Sequence, residues 1–226
     1  MFGDKYNRIK LWQYLRRARY ILETDGFINV IKRGFIYFRP RVFSYRCVYL
    51  YETLIEDWDE ADFLPRIQNV DSIIISSNED ADKVAETYAD VREIQFNARE
   101  YLNIGAVAAC LFVGRDLVHI SWIAFTEEAK RVCDSIPYKV NFSRGQACTG
   151  GTFTYPAYRG QNLMVYGCYK KFQYAKENGI RSIRNSMRTD NIASQKVYSK
   201  FNGVPYAKAY YLKFLMFKYL RETPIV

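Results

Sequence analysis

The chain has 226 residues, room for one domain or one domain with an appendage, and its 49% hydrophobic and 25% charged content is ordinary for a globular protein. That composition excludes disordered, collagen-like and coiled-coil chains, and no apolar run reaches the roughly 18 residues a membrane-spanning helix needs. The net charge of +9 is unevenly spread: residues 1–47 hold 11 Lys/Arg against 3 Asp/Glu, residues 48–134 hold 7 against 18, and residues 135–226 hold 15 against 3.

Residues 6–25 read as an amphipathic helix, with Ile9, Trp12, Leu15 and Tyr20 near helical spacing and Lys10, Arg16, Arg17 and Arg19 between them. A second helix is expected over 27–38, closed by Arg39-Pro40 because the residue before proline is pushed out of the α region. This helical extension over 1–43 is expected to pack through its aromatic stripe, with peripheral contact to a membrane surface as the other reading. Asp4, Lys5, Arg8 and Lys10 interrupt any apolar leader, so a cytoplasmic protein is expected. Its five cysteines (Cys47, Cys110, Cys133, Cys148 and Cys168) would then be reduced and act as small buried hydrophobes.

From residue 44 the pattern becomes α/β. Alternation of Tyr45, Cys47, Tyr49 and Tyr51 predicts a strand over 44–54, and a short apolar run predicts another over 72–75. The acidic run Glu52, Glu56, Asp57, Asp59, Glu60 and Asp62 reads as a solvated loop face. A long helix is expected over 78–102, with Asn78 as N-cap and Glu79, Asp80 and Asp82 in its first turn. Strands over 106–113 and 117–125 flank a tight Gly114-Arg115-Asp116 turn, and a short helix follows over 127–134. Then come a strand over 146–155, a Pro156 turn, a helix over 161–178 and a strand over 180–188. A helix over 191–201 and one or two closing strands over 206–220 complete the chain.

The loop between the strand at 146–155 and the helix at 161–178 carries the chemistry. A loop that opens a helix presents unpaired N–H groups and the positive end of the helix dipole, an anion site. Arg159 adds a forked permanent charge suited to phosphate oxygens, and Gly160 allows a close backbone approach. A diphosphate is the natural guest.

The run Thr152-Phe153-Thr154-Tyr155-Pro156-Ala157-Tyr158-Arg159-Gly160-Gln161-Asn162-Leu163-Met164, followed by Thr189-Asp190-Asn191 and Tyr198, resembles the acetyl-CoA signature of the GNAT superfamily of acyl-CoA-dependent N-acyltransferases. Arg159 matches the first position of that loop pattern, while Asn162 and Met164 stand where Gly and Gly or Ala are expected. The likeness covers roughly residues 106–210. It implies an α/β fold over 44–226: a mixed, mostly antiparallel sheet, splayed at its centre and flanked by helices. It also implies acetyl-CoA as co-substrate and direct transfer of an acyl group to a primary amine, carried by a small molecule or an amino sugar. Phe153, Thr154, Tyr155, Arg159, Gly160, Gln161, Asn162, Leu163, Met164, Asn191 and Ser194 would bind the cofactor. Tyr198 would protonate the departing thiolate.

For a general base the sequence offers its only histidine, His119, whose reference pKa near 6.5 suits proton removal. A packed strand histidine is the alternative. One His without clustered Cys gives no metal ligand set, and no Gly-x-Ser-x-Gly elbow is present. Two further readings stand beside the enzyme: a non-catalytic acyl-CoA-binding module, and a basic membrane- or nucleic-acid-binding protein. No recognition-helix signature supports nucleic acid, so none is expected as partner, and a homodimer is left open.

Overall fold

The computed structural model describes residues 42–95 and 97–225; the helices expected over 6–25 and 27–38 lie outside them. Two compact units divide the chain, one of Cys47–Tyr210 with Leu220–Val226 and one of Met1–Arg46 with Tyr211–Tyr219.

The strands are β1 (Phe43–Leu54), β2 (Val70–Ile75), β3 (Val107–Val113), β4 (Asp116–Ala124), β5 (Gln146–Thr154), β6 (Ser182–Arg188), β7 (Val204–Phe214) and β8 (Phe217–Pro224). They form one sheet in the order β2-β3-β4-β5-β6-β1-β7-β8. β5 and β6 are parallel, whereas the β2–β3, β3–β4, β4–β5 and β1–β6 pairs are antiparallel. The helices are α1 (Asn78–Ala85), α2 (Val91–Ile94), α3 (Ala98–Asn103), α4 (Glu127–Cys133), α5 (Leu163–Glu177) and α6 (Ile192–Ser199).

β3 and β4 are almost wholly buried, β3 as a continuous apolar run and β4 with His119 and Ser121 buried among its apolar residues. α5 lays Cys168, Phe172 and Ala175 into the core, with Met164 partly buried beside them. The single helix expected over 78–102 is instead three short ones. Ser77, rather than Asn78, caps α1 by accepting from Asp80 N–H, and Asp90 starts α2 by accepting from Arg92 N–H. Thr87 and Tyr88 before that cap are weak helix formers, so the local cap wins over continuation.

In the acidic run Glu56, Asp57, Asp59 and Asp62 are exposed, as a solvated loop face requires, while Glu52 and Glu60 are half-buried. Glu60 pairs with Lys170 at 2.7 Å and accepts from the Tyr166 hydroxyl, and Asp57 pairs with Lys176. Beneath it Phe63 stacks on Phe201 at 4.6 Å, with Trp58 edge-on to Phe201 at 5.2 Å. Burial of these rings fixes the loop that leads from β1 across α5.

Candidate active site

β5 and β6 are paired over only three rungs, Gln146 with Ser182, Ala147 with Ile183 and Cys148 with Arg184. The paired end is clamped by Glu52 of β1, which accepts from Gln146 Nε2 (2.7 Å), Ser182 Oγ (2.9 Å) and Arg184 Nη2 (3.0 Å). Burial works against the Glu52 carboxylate, but hydrogen bonds led by Arg184 outweigh it and hold its pKa below the ordinary value. Past Cys148 the strands part. The amide of Ser186, which β5 would otherwise receive, donates to Asp134 Oδ2 at 3.1 Å, and the Ser186 hydroxyl donates to the same atom at 2.7 Å. A carboxylate thus replaces a strand as acceptor.

The parting is helped by a bulge in β5. Phe153 faces Ile120 and Gly150 faces Trp122, so Gly151 and Thr152 together oppose Ser121. Gly151 sits at φ 58°, as the first residue of such a bulge does when it is glycine. The extra residue bends β5 toward its end, where the expected cofactor residues Phe153, Thr154 and Tyr155 lie.

These three differ in their hydrogen bonds. Tyr155 N–H donates to Val118 O at 3.0 Å, so the Tyr155 amide is already committed to β4. Antiparallel alternation then turns the Thr154 amide away from β4, toward the gap. The other groups of Thr154 are tied: its Oγ1 lies 2.7 Å from His119 Nδ1, and its carbonyl accepts from Arg159 Nε at 3.2 Å.

The loop turns through a short 3-10 segment, Pro156–Tyr158, and Gly160 takes φ 81° in open space. Asn162 adopts φ 62° directly before α5, a region Asn tolerates better than most residues. Its side chain gives no cap to α5 but turns back to donate to the carbonyls of Phe63 and Leu64. The first turn of α5 is therefore without a side-chain cap, with Leu163 buried and Met164 partly so. The Gln161 carbonyl accepts from Arg66 N–H, a further tie to the loop after β1.

Asn191 is the N-cap of α6, its side chain accepting from Ser194 N–H at 3.2 Å. Tyr198, on the same helix, is buried, and its hydroxyl is 2.8 Å from Thr149 Oγ1. Burial first, and then the neighbouring Cys168, push the Tyr198 pKa well above 10, so the phenol stays protonated.

His119 is fully buried and its ring lies against Gly167 of α5, where an added Cβ would come within 2.6 Å. Burial, with the nearby Lys171 second, pushes its pKa down to about 3, so it is neutral. Among the described residues, the buried polar atoms without a hydrogen-bond partner around α5 and the sheet face it covers include His119 Nε2, Ser121 Oγ, Lys171 Nζ and Asn185 Oδ1. Asn185 follows the last paired rung of β6, as Thr149 does on β5. Asp134, Asn185 and Lys171 carried no signal in the sequence, since each acquires its setting only through residues far along the chain.

No family model matches the sequence, and no curated protein matches it. Solved structures do. A tandem GNAT protein from the clavulanic acid biosynthesis pathway superposes with a TM-score of 0.50 at 16% identity, over 86% of this chain and 59% of its own. The GCN5-related glucosamine N-acetyltransferase region of a fungal multi-domain GH3 β-N-acetylglucosaminidase superposes with a TM-score of 0.51 at 12% identity, over 80% of this chain. The fold is GNAT-like. This chain spans only 22% of the fungal protein's length. In this GNAT-like frame the mixed, mostly antiparallel sheet matches the expectation from the sequence. Among the described residues, no helix is long and apolar enough to cross a membrane.

Proposed function

We propose that this protein transfers an acyl group, most simply acetyl, from coenzyme A to a primary amine on a small molecule or amino sugar. The observation that carries this reading is the parting of β5 from β6 after Cys148 and Arg184, directly ahead of an Arg159-Gly160 loop that opens an uncapped helix. A ligand with a polyphosphate end and an amide-bearing arm matches such a site. Arg159 and the first-turn amides of α5 would hold the phosphates. Asn185 Oδ1, buried without a partner, would accept from an amide of the arm. The positively charged last third of the chain favours the same polyanion.

Coenzyme A supplies the acyl group as an activated thioester. The Thr154 amide would polarise the acyl carbonyl, in the manner of an oxyanion hole. His119 would keep Thr154 in place through its hydroxyl; its burial and neutrality suit positioning better than proton removal from an acceptor in solvent. The amine attacks in its unprotonated form, and the proton it loses goes to solvent. Tyr198, protonated at neutral pH, would give its proton to the departing sulfur and recover one from solvent.

The buried His119 also favours a second reading, a module that binds acyl-CoA without turning it over. Calorimetry of acetyl-CoA and CoA binding to the wild type and to the Arg159→Ala, Gly160→Val double variant tests the site. Micromolar wild-type binding that collapses in the variant is expected; absence of wild-type binding would remove the acyltransferase reading. Release of free thiol from acetyl-CoA across a panel of amines then separates the enzyme from the binding module.

A further inference from the structure

The turn between β7 and β8, within the unit of Met1–Arg46 and Tyr211–Tyr219, carries large apolar side chains on its outside. Met216 is 84% exposed and Phe217 74%, and Phe214, Leu215 and Tyr219 are each more than half exposed. Phe43 and Tyr45, in the same unit, are exposed too. Single exposed apolar residues are ordinary surface, but five within six positions at one tip make a patch that water alone does not explain.

The turn itself points the same way. Leu215 is held at φ 54°, a left-handed conformation that two-residue hairpin turns normally give to Gly or Asn. The Leu215 amide donates to the Val42 carbonyl at 2.6 Å, which holds the residue in this conformation and leaves its side chain on the outside.

Lys213 and Lys218 bracket the tip, and residues 1–47 carry 11 Lys/Arg against 3 Asp/Glu. We propose that this hairpin tip docks on a lipid surface bearing anionic headgroups. Leu215, Met216 and Phe217 seat at the boundary of the acyl chains, and Lys213 and Lys218 lie at the level of the phosphates. The charges favour this occupant over the others. An isologous contact between two copies through the tip would bring each lysine against its own kind. A nucleic acid would engage the lysines but leave Leu215 and Met216 in water.

The full chain, sedimented with vesicles of phosphatidylcholine containing a minority of phosphatidylserine, is expected to pellet with them and to do so less as salt rises. It is expected to stay in solution with phosphatidylcholine alone. The Met216→Asp, Phe217→Asp variant is expected to lose binding by about tenfold or more, and Lys213→Glu with Lys218→Glu to lose the preference for anionic vesicles. Met216, Phe217 and Lys218 are exposed and Lys213 is half-buried, and an unchanged thermal melt and circular dichroism spectrum would certify the fold of both variants. The proposal is overturned by absence of vesicle binding, by undiminished binding of the Met216→Asp, Phe217→Asp variant, or by tighter binding to duplex DNA than to vesicles. A dimer in light scattering that this same variant abolishes would also overturn it, assigning the tip to a second copy.

Discussion

The hydroxyl of Tyr198 lies 2.8 Å from Thr149 Oγ1, and Thr149 is the first residue of β5 beyond its last paired rung with β6. One hydrogen bond therefore ties α6 to the mouth of the splay and fixes where a phenolic proton is held. Replacing Tyr198 by Phe is expected to lower thiol release from acetyl-CoA by about 10²-fold or more while leaving acetyl-CoA affinity in calorimetry nearly unchanged. Thr149→Val, which removes the Thr149 partner and leaves Cys168 beside the Tyr198 hydroxyl, serves as control. If both variants lose turnover equally, the hydroxyl is structural and not an acid.

Asn162 does two things at once, holding φ 62° and donating to the carbonyls of Phe63 and Leu64. Asn162→Gly keeps the backbone conformation and loses the side-chain bonds, a change of about 1 kcal/mol in denaturant unfolding. Asn162→Leu loses the bonds and adds roughly 1–2 kcal/mol for a left-handed non-glycine residue. Acetyl-CoA affinity should follow the same order, wild type, then Gly, then Leu. An Asn162→Leu variant as stable as the Gly variant would show that the loop relaxes out of this conformation.

Acid should destabilise the protein through His119. Its folded pKa of about 3 lies below the ordinary 6.5, so the unfolded chain binds the extra proton first. The stability tied to the neutral ring is complete above pH 6.5 and falls as pH drops toward 3, by about 3 kcal/mol at pH 4. Carboxylates with lowered pKa values, such as Glu52 and Asp90, slope the same way. The diagnostic measurement is therefore a comparison of melting temperature against pH for the wild type and His119→Gln. A smaller loss between pH 6.5 and 4 is expected in the variant, and identical slopes would remove His119 as the cause.

Lys171 is a fully buried amine without a hydrogen-bond partner, and burial lowers its pKa. Lys171→Met keeps the unbranched chain, one heavy atom shorter, and removes the desolvated nitrogen. It is expected to stabilise the fold by about 1–3 kcal/mol at neutral pH, read as a higher midpoint in urea. A loss of stability would mean that the amine has a partner, such as a buried water, that the methionine cannot replace.

Elements whose information is local are legible in the residues alone. The apolar run of β3 and the mostly apolar β4 around Gly114, the face of Cys168, Phe172 and Ala175 on α5, and the strand-loop-helix order around Arg159 and Gly160 are all periodicity and turn chemistry. Even the tolerance of Asn162 for a left-handed backbone was legible from its residue type. The break of one expected helix into three was missed because Ser77 and Asp90 cap locally where periodicity alone continues. Tertiary packing inserts β1 between β6 and β7, sets Glu52 against Arg184 across 132 positions, and gives the Ser186 amide to Asp134 across 52. It also decided that the lone histidine is sealed against Gly167 rather than open to an acceptor. The reason is physical: a pattern of side chains states which face is to be buried. Backbone donors and acceptors are the same at every residue, so their partners are chosen by the packing of the whole chain.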